Sequence, residues 1–290
     1  MARYSIKELE KLSGIKAHTI RIWEKRHQII EPQRTPTNIR FYSDDDLKKI
    51  INVSVLNNNG VKISKIAGMS LSELNEKVYE LSTESPSMEI HIEQMVVAMI
   101  DMEEAAFEKI ISHITLKFGF EKAVTDVIYP FLEKIGVLWQ TGNITPAQEH
   151  FISNIIRQKV IVAIDSLPIP SSTSLRVILY LPENELHEIG LLFYNYITRK
   201  QGMRTYYLGQ NLPLDDLIAI GQIHRPHFVI TAITTPQKDE GVKKHLQRVV
   251  EAFPYSNVLA TGPALKAGTP VASNLRLFHN ALELKQILSV

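Results

Sequence analysis

The spacing of apolar residues divides the chain into three rhythms. In "SIKELEKLSG", Ile6, Leu9 and Leu12 recur on one helical face, Ser5 precedes them as an N-cap, and Glu8 completes a capping box. Gly14 then ends the helix. In "KAHTIRIWEKRH", Ala17 and Ile20, with Trp23 or Glu24, turn inward, while His18, Thr19, Arg21 and Arg26 are left outward. Two short helices around a glycine turn predict a helix-turn-helix. "EPQRTPTNIRFYS" follows as an exposed loop or two-stranded wing, because prolines interrupt it before a β-prone end. A helix restarts at Ser43, with Asp44, Asp45 and Asp46 in the turn where the helix dipole favours negative charge. A short helix near 71–81 closes this part, and the polar, Pro-containing "STESPSMEI" predicts a linker.

From 88 to 166 the chain reads as almost wholly helical, since "MEEAAFEKIISHITLKFG", "EKAVTDVIYPFLEKIGVLW" and "TPAQEHFISNIIRQKVIVAIDSL" all carry apolar residues at helical spacing. Short connections favour an antiparallel bundle. "PIPSST" predicts a second linker. From Leu175 the rhythm changes to apolar strands ("LRVILYL", "RTYYLG", "HFVITAI", "SNVLATG", "RLFHN") separated by helices near 187–201, 213–222 and 239–252. That alternation predicts a doubly wound parallel sheet, with ligands bound at the carboxyl ends of its strands. The expected architecture is therefore multidomain, α and α/β: a winged helix-turn-helix over 1–80, a helical bundle over 88–168, and a Rossmann-like sheet domain over 172–290.

Composition narrows the chemistry. The 290 residues include no cysteine, which excludes disulfides, thiolate zinc sites and a cysteine nucleophile. With no apolar leader and no stretch of about 18 apolar residues, the expectation is a soluble cytoplasmic protein with no membrane partner. Net charge is only +1, but residues 1–50 hold eleven Lys and Arg against seven Asp and Glu. A basic excess confined to one small segment suits a polyanionic partner.

The residues "YSIKELEKLSGIKAHTIRIWEKRHQIIEPQRTPTNIRFYSDDDL" carry a further signal in Trp23-Glu24, in Pro32 to Arg34, and in Arg40 to Tyr42. The segment resembles the MerR family of transcriptional regulators. The resemblance implies a second helix in the major groove and a wing on the flanking backbone of a double-stranded operator. On that reading His18, Thr19 and Arg21 reach base edges and nearby phosphates, Arg34 and Arg40 hold phosphates, and Trp23 and Tyr42 complete the DNA-binding set.

In the last part, Glu185-Leu186-His187-Glu188-Ile189-Gly190 follows the first strand. Forty residues separate Gly190 from Thr231-Ala232-Ile233, and twenty-seven separate Ile233 from Thr261-Gly262. An imidazole can ligate a metal through one nitrogen while the other donates to a carboxylate that fixes its tautomer. His187 with Glu185 fits that pattern; it equally fits a helix cap. The three-part pattern is similar to the fingerprint of cobalamin-binding domains. The resemblance implies His187 as the cobalt ligand, Glu185 as its partner and Gly190 beside the macrocycle, with Thr231, Thr261 and Gly262 lining a slot for the displaced nucleotide tail. Glu185 stands where Asp is usual, and Thr261-Gly262 where Gly-Gly is usual. No G-x-G-x-x-G follows the first strand, which disfavours a nicotinamide or flavin dinucleotide.

In the helical part, Trp139, nine residues and then Glu149-His150 are similar to the cap of the CarH and LitR group, MerR-type photoreceptor repressors that use adenosylcobalamin as a light sensor. The resemblance implies that these three side chains cover the adenosyl group. The chain departs from the light-sensing members at Gln140, where they carry His. The expectation is a non-enzymatic repressor whose self-association, as dimer or tetramer, is set by cobalamin. Because a linker replaces the long helix usual after this DNA-binding region, the C-terminal parts must supply the association. The competing readings are a cofactor-free interaction module and a cobalamin-dependent enzyme carrier, the latter lacking any catalytic domain.

Overall fold

A computed structural model describes residues 3–84, 87–140, 142–235, 239–265 and 272–289. Contacts divide the chain into two units, Met1–Ile155 and Ile156–Val290, and the division falls within the helix Pro146–Asp165.

The first unit opens with α1 (Ile6–Ser13) and α2 (Ala17–His27). Ser5 and Glu8 close the capping box, and Gly14 ends α1 at φ 72°, a left-handed conformation that glycine adopts without steric cost. Strands β1 (Gln33–Arg34) and β2 (Arg40–Phe41) pair antiparallel as the wing. The backbone of Tyr4 bridges to Tyr42 and ties the N-terminal segment to the wing's end. Next comes α3 (Asp44–Asn58), capped by Ser43 and Asp46. Every residue from Ile50 to Leu56 in α3 is buried, so it is the central helix, packed on α1 and on α5 and α6 below.

After α4 (Ile63–Ile66), α5 (Leu71–Glu84) and α6 (Met88–Ile100) occupy most of the segment expected as a linker; residues 85–86 lie outside the described set. Composition marked a polar stretch, but Ser82 and Ile90 are buried in this unit. The bundle continues through α7 (Glu104–Phe118), α8 (Phe120–Ala123), a π-helical turn Val124–Ile128, α9 (Tyr129–Gln140) and α10 (Pro146–Asp165). The core of this region is apolar and nearly solvent-free, with Phe107 and Phe131 packed edge to face 5.5 Å apart.

The second unit is a five-stranded, all-parallel sheet of β3 (Arg176–Pro182), β4 (Arg204–Leu212), β5 (Phe228–Ala232), β6 (Asn257–Thr261) and β7 (Leu275–Leu277), in the order β4-β3-β5-β6-β7. Helices α11 (Glu188–Lys200), α12 (Leu214–His224), α13 (Asp239–Ala252) and α14 (Ala281–Leu288) alternate with the strands. β3 and β5 are sealed along nearly their whole length, which explains their unbroken apolar sequences. The strand order reverses direction at β3, so the loops after β3 and β5 flank the topological switch point where ligands bind such sheets.

Candidate cofactor site and DNA-facing surface

The loop after β3 turns back at once. The Glu185 amide donates to the Pro182 carbonyl, 3.1 Å, and the Glu185 side chain is fully buried. A buried carboxylate is costly unless its lone pairs are filled. Here they are: Thr234 and Thr235 donate their backbone N–H groups to one oxygen at 2.7 Å each, and the Thr235 hydroxyl donates to the other at 3.1 Å. That second oxygen also holds the backbone N–H of His187, 3.2 Å, and its Nδ1, 2.5 Å. Burial works to raise the Glu185 pKa, but the hydrogen bonds from Thr235, His187 and Thr234 outweigh it and hold the carboxyl below its ordinary range.

The consequence falls on the imidazole. With Nδ1 tied to the carboxylate, Nε2 is the His187 nitrogen left available to a ligand, and the side chain is 60% exposed although its partner is sealed. His187 also stands at the N-cap of α11, but its side chain makes no capping hydrogen bond. The bland role, a capping side chain, is therefore not the one adopted.

Around this centre the sequence-derived residues divide. At Gly190 an added Cβ would meet nothing within 4 Å, so the α11 backbone faces open space there. Thr231 is fully buried, and its hydroxyl makes no hydrogen bond of normal geometry. Thr261 is buried, and Gly262 at φ 120° lies against the Ile233 backbone, where an added Cβ would stand 2.2 Å from the carbonyl oxygen. A cavity of about 380 Å³ opens beside the loop, lined among the described residues by Pro182, Asn184, Ile233, Thr235, Val242 and His245. Thr231, Thr261 and Gly262 shape the strand ends behind it and do not form its wall.

Several functional groups here escaped the sequence reading. The amides of Thr234 and Thr235 leave no mark in residue identity. His245 Nε2 lies 3.0 Å from the Tyr180 hydroxyl, and burial pushes this imidazole down to about 4, with Arg248 nearby adding to the effect. Glu188 accepts from Arg157 Nε at 2.8 Å and from the Tyr207 hydroxyl at 3.0 Å. Only the long separation between these partners hid them.

In the helical region Trp139, at the end of α9, is 48% exposed, unusual for the largest apolar side chain. Glu149 and His150, in the first turn of α10, form a 2.9 Å pair through His150 Nδ1, and Ser153 donates to the other Glu149 oxygen. The side chain of Gln140 lies outside the described residues. Asn143, between Trp139 and Glu149, donates to the Glu8 carboxylate of α1 at 2.7 Å.

On the surface of the helix-turn-helix and wing, His18 and Arg21 are exposed on the first half of α2, with Thr19 half-buried between them. Arg34 and Arg40 are exposed on the two wing strands, Arg34 braced by the Asn38 side chain at 2.6 Å. Trp23 and Tyr42 do not belong to this surface. Trp23 is buried at 7% exposure and Tyr42 at 0%, and the Tyr42 hydroxyl donates to Glu24. Both are packing residues that fix helix and wing, because the inward face of a short amphipathic helix falls on Ile20 and Trp23.

Cobalamin can be tested against these residues. Among the described residues no cluster of three or more His, Asp or Glu could hold a bare metal ion. A single oriented imidazole suits a metal that arrives with its other donors already supplied by a macrocycle. The open space at Gly190 is a further point of fit.

Comparison with known proteins agrees. The MerR HTH family regulatory protein model matches residues 4–73, and the B12 binding domain model matches residues 91–163. The chain is 28% identical to the HTH-type transcriptional repressor CarH of Myxococcus xanthus over 87% of its own length and 85% of the relative's. It is 25% identical to the repressor CarA of the same organism over 86% and 84%. Among solved structures it is similar to the monomethylamine corrinoid protein of Methanosarcina barkeri, with TM-score 0.55 and 13% identity over 73% of this chain and 97% of that one, a likeness of fold.

Proposed function

We propose, for a chain that joins a MerR-type helix-turn-helix region to a B12-binding domain and is a cobalamin-linked transcriptional regulator, that the bound corrin sets self-association and thereby operator occupancy. The observation that carries this reading is the Glu185–His187 pair at the sheet's switch point, in the same chain as an exposed basic helix and wing. His187 holds cobalt through Nε2. Glu185 keeps the proton on Nδ1 and makes the ligand more basic, and the Thr234 and Thr235 amides keep Glu185 ionised. Trp139, Glu149 and His150 are the contacts that the helical region offers the cofactor. Adenosylcobalamin, the form favoured here, supplies when bound a cobalt–carbon bond that light cleaves.

On the DNA side, His18, Thr19 and Arg21 read base edges while Arg34 and Arg40 fix the register on phosphates. The protein acts as a repressor without enzymatic turnover, as a dimer or tetramer whose multiple DNA-binding regions engage adjacent half-sites together. Adding adenosylcobalamin to the purified chain should give a coloured protein with a larger apparent mass, and green light should change both spectrum and elution volume. A colourless chain that elutes unchanged would favour a cofactor-free interaction module. His187→Ala should lose the His-ligated spectrum and weaken corrin retention at least tenfold; unchanged retention and spectrum would sink the ligand assignment.

A further inference from the structure

Within the first unit, α3 and α5 of the DNA-binding region and α6 and α7 of the bundle enclose a cavity of about 540 Å³. That is the size range of small-molecule sites. Val78, Val97, Ala98, Ile110 and Leu116 make its wall mainly apolar. Two histidines, His91 on α6 and His113 on α7, also line it, with ring centroids 5.6 Å apart. Both Nε2 atoms are buried and without a hydrogen-bond partner, and His91 is only 1% exposed. Buried polar atoms are paired in the great majority of cases, so two adjacent orphans in a cavity wall point to an absent partner. Neither the helix-turn-helix nor the cobalamin loop uses this cavity.

The charges around it say what the partner is. Burial, together with His113 and Lys117 nearby, pushes His91 down to about 4, so the ring is neutral at physiological pH and can donate only one proton. Lys109 lies over the Tyr79 ring, 4.3 Å from its centroid, also in the lining. Of the acidic residues in the lining, Asp101 is already paired with Lys48 at 2.7 Å and Glu103 is exposed. The wall near the histidines thus has donors and positive field to offer, and the rest is mainly apolar, with Asn52 and Asn75 bonded to each other and Ser82, Gln94 and Ser112 interspersed.

We propose that this cavity is a second effector site, which takes an apolar monocarboxylate with its carboxylate against His91 and His113 and its chain along the Val78, Val97 and Ile110 wall. Because Asn52 of α3 and Asn75, Val78, Tyr79 and Ser82 of α5 form part of the wall, the ligand acts on the DNA-binding region directly and independently of the corrin.

The test uses the full chain and decanoate as probe, with decanol as the control of equal chain length, followed by calorimetry. Decanoate should bind one per chain, and decanol at least tenfold more weakly. His91→Phe and His113→Phe, which keep ring volume and remove the nitrogens, should each weaken decanoate at least tenfold. Ala106→Trp, at an exposed position in the lining, should block entry without burdening the core. His187→Ala should bind decanoate as the unaltered chain does, which separates this proposal from the cobalamin reading. Equal binding of decanoate and decanol, no binding of either, or decanoate binding untouched by Ala106→Trp would overturn it.

Discussion

Gly262 shows how sharply a single position can be constrained. Its φ of 120° and the Ile233 carbonyl, 2.2 Å from where a Cβ would stand, leave no room for a side chain, and the obstacle is backbone that cannot rotate away. Gly262→Ala should cost about 1–3 kcal/mol or more, read as a lower urea midpoint with unchanged slope. Titration acts at residue scale too. His91 and His245 both sit near 4 when folded against an ordinary 6.5, because burial disfavours their charged forms, with His113 and Lys117 acting on the first and Arg248 on the second. The unfolded chain binds more protons between those values, so stability is full above 6.5 and declines as pH falls toward 4. Glu93, which burial pushes up despite Lys134 beside it, opposes this part of the trend. Urea midpoints at pH about 7 and about 5 should show the fall, and His245→Phe should flatten it. The sequence made Glu185 and His187 legible because their spacing and chemistry are local. The motif also drew Trp23 and Tyr42 into the DNA-binding set although both are buried, an inward facing that helical periodicity already offers for Trp23.

Elements were more legible than residues. The capping box at Ser5, the helix start at Ser43, the turn at Gly14 and the β-prone wing each rest on chemistry within four residues, and all appear where the pattern put them. The strands of the sheet were equally plain, because β3, β5 and β6 are mostly apolar along their buried lengths. The Ser82–Ile90 stretch was not, since its polar composition hid buried residues that only tertiary packing reveals. Ser43→Ala removes a side chain that accepts the Asp46 amide at 3.2 Å and should cost about 1 kcal/mol; a shift of the thermal midpoint checks it. On the wing, Arg40→Ala should weaken binding to every duplex alike and reduce the salt slope by about one unit. A titration over salt that gave an unchanged slope would falsify the phosphate assignment.

For the whole molecule the central question is how an effector reaches DNA. One connection lies inside the first unit: Asn143, in the segment between Trp139 and Glu149, holds Glu8, whose other oxygen caps the Ser5 amide at the start of α1. The segment proposed to touch the cofactor is thereby bonded to the first helix of the DNA-binding region. Asn143→Ala should leave corrin affinity and cofactor-free DNA affinity close to unaltered while reducing the change in DNA affinity that the corrin produces. Fluorescence anisotropy with a labelled duplex, with and without adenosylcobalamin, measures that difference; an undiminished cofactor effect would remove Asn143 from the route. No sequence pattern could show this bond, because its partners lie 135 positions apart.

The grip on Glu185 also bears on how this protein can be explored genetically. Three of its donors are main-chain amides, at His187, Thr234 and Thr235, and nearly every codon change at 234 or 235 leaves that N–H in place. A selection for regulators deaf to the cofactor should therefore recover changes at 185 and 187 in quantity, fewer at 235, where the hydroxyl donor at 3.1 Å is lost but the amide stays, and almost none at 234. Proline is the exception, since it alone deletes the amide hydrogen, and Thr234→Pro or Thr235→Pro is the genotype by which a hidden half of the site would announce itself.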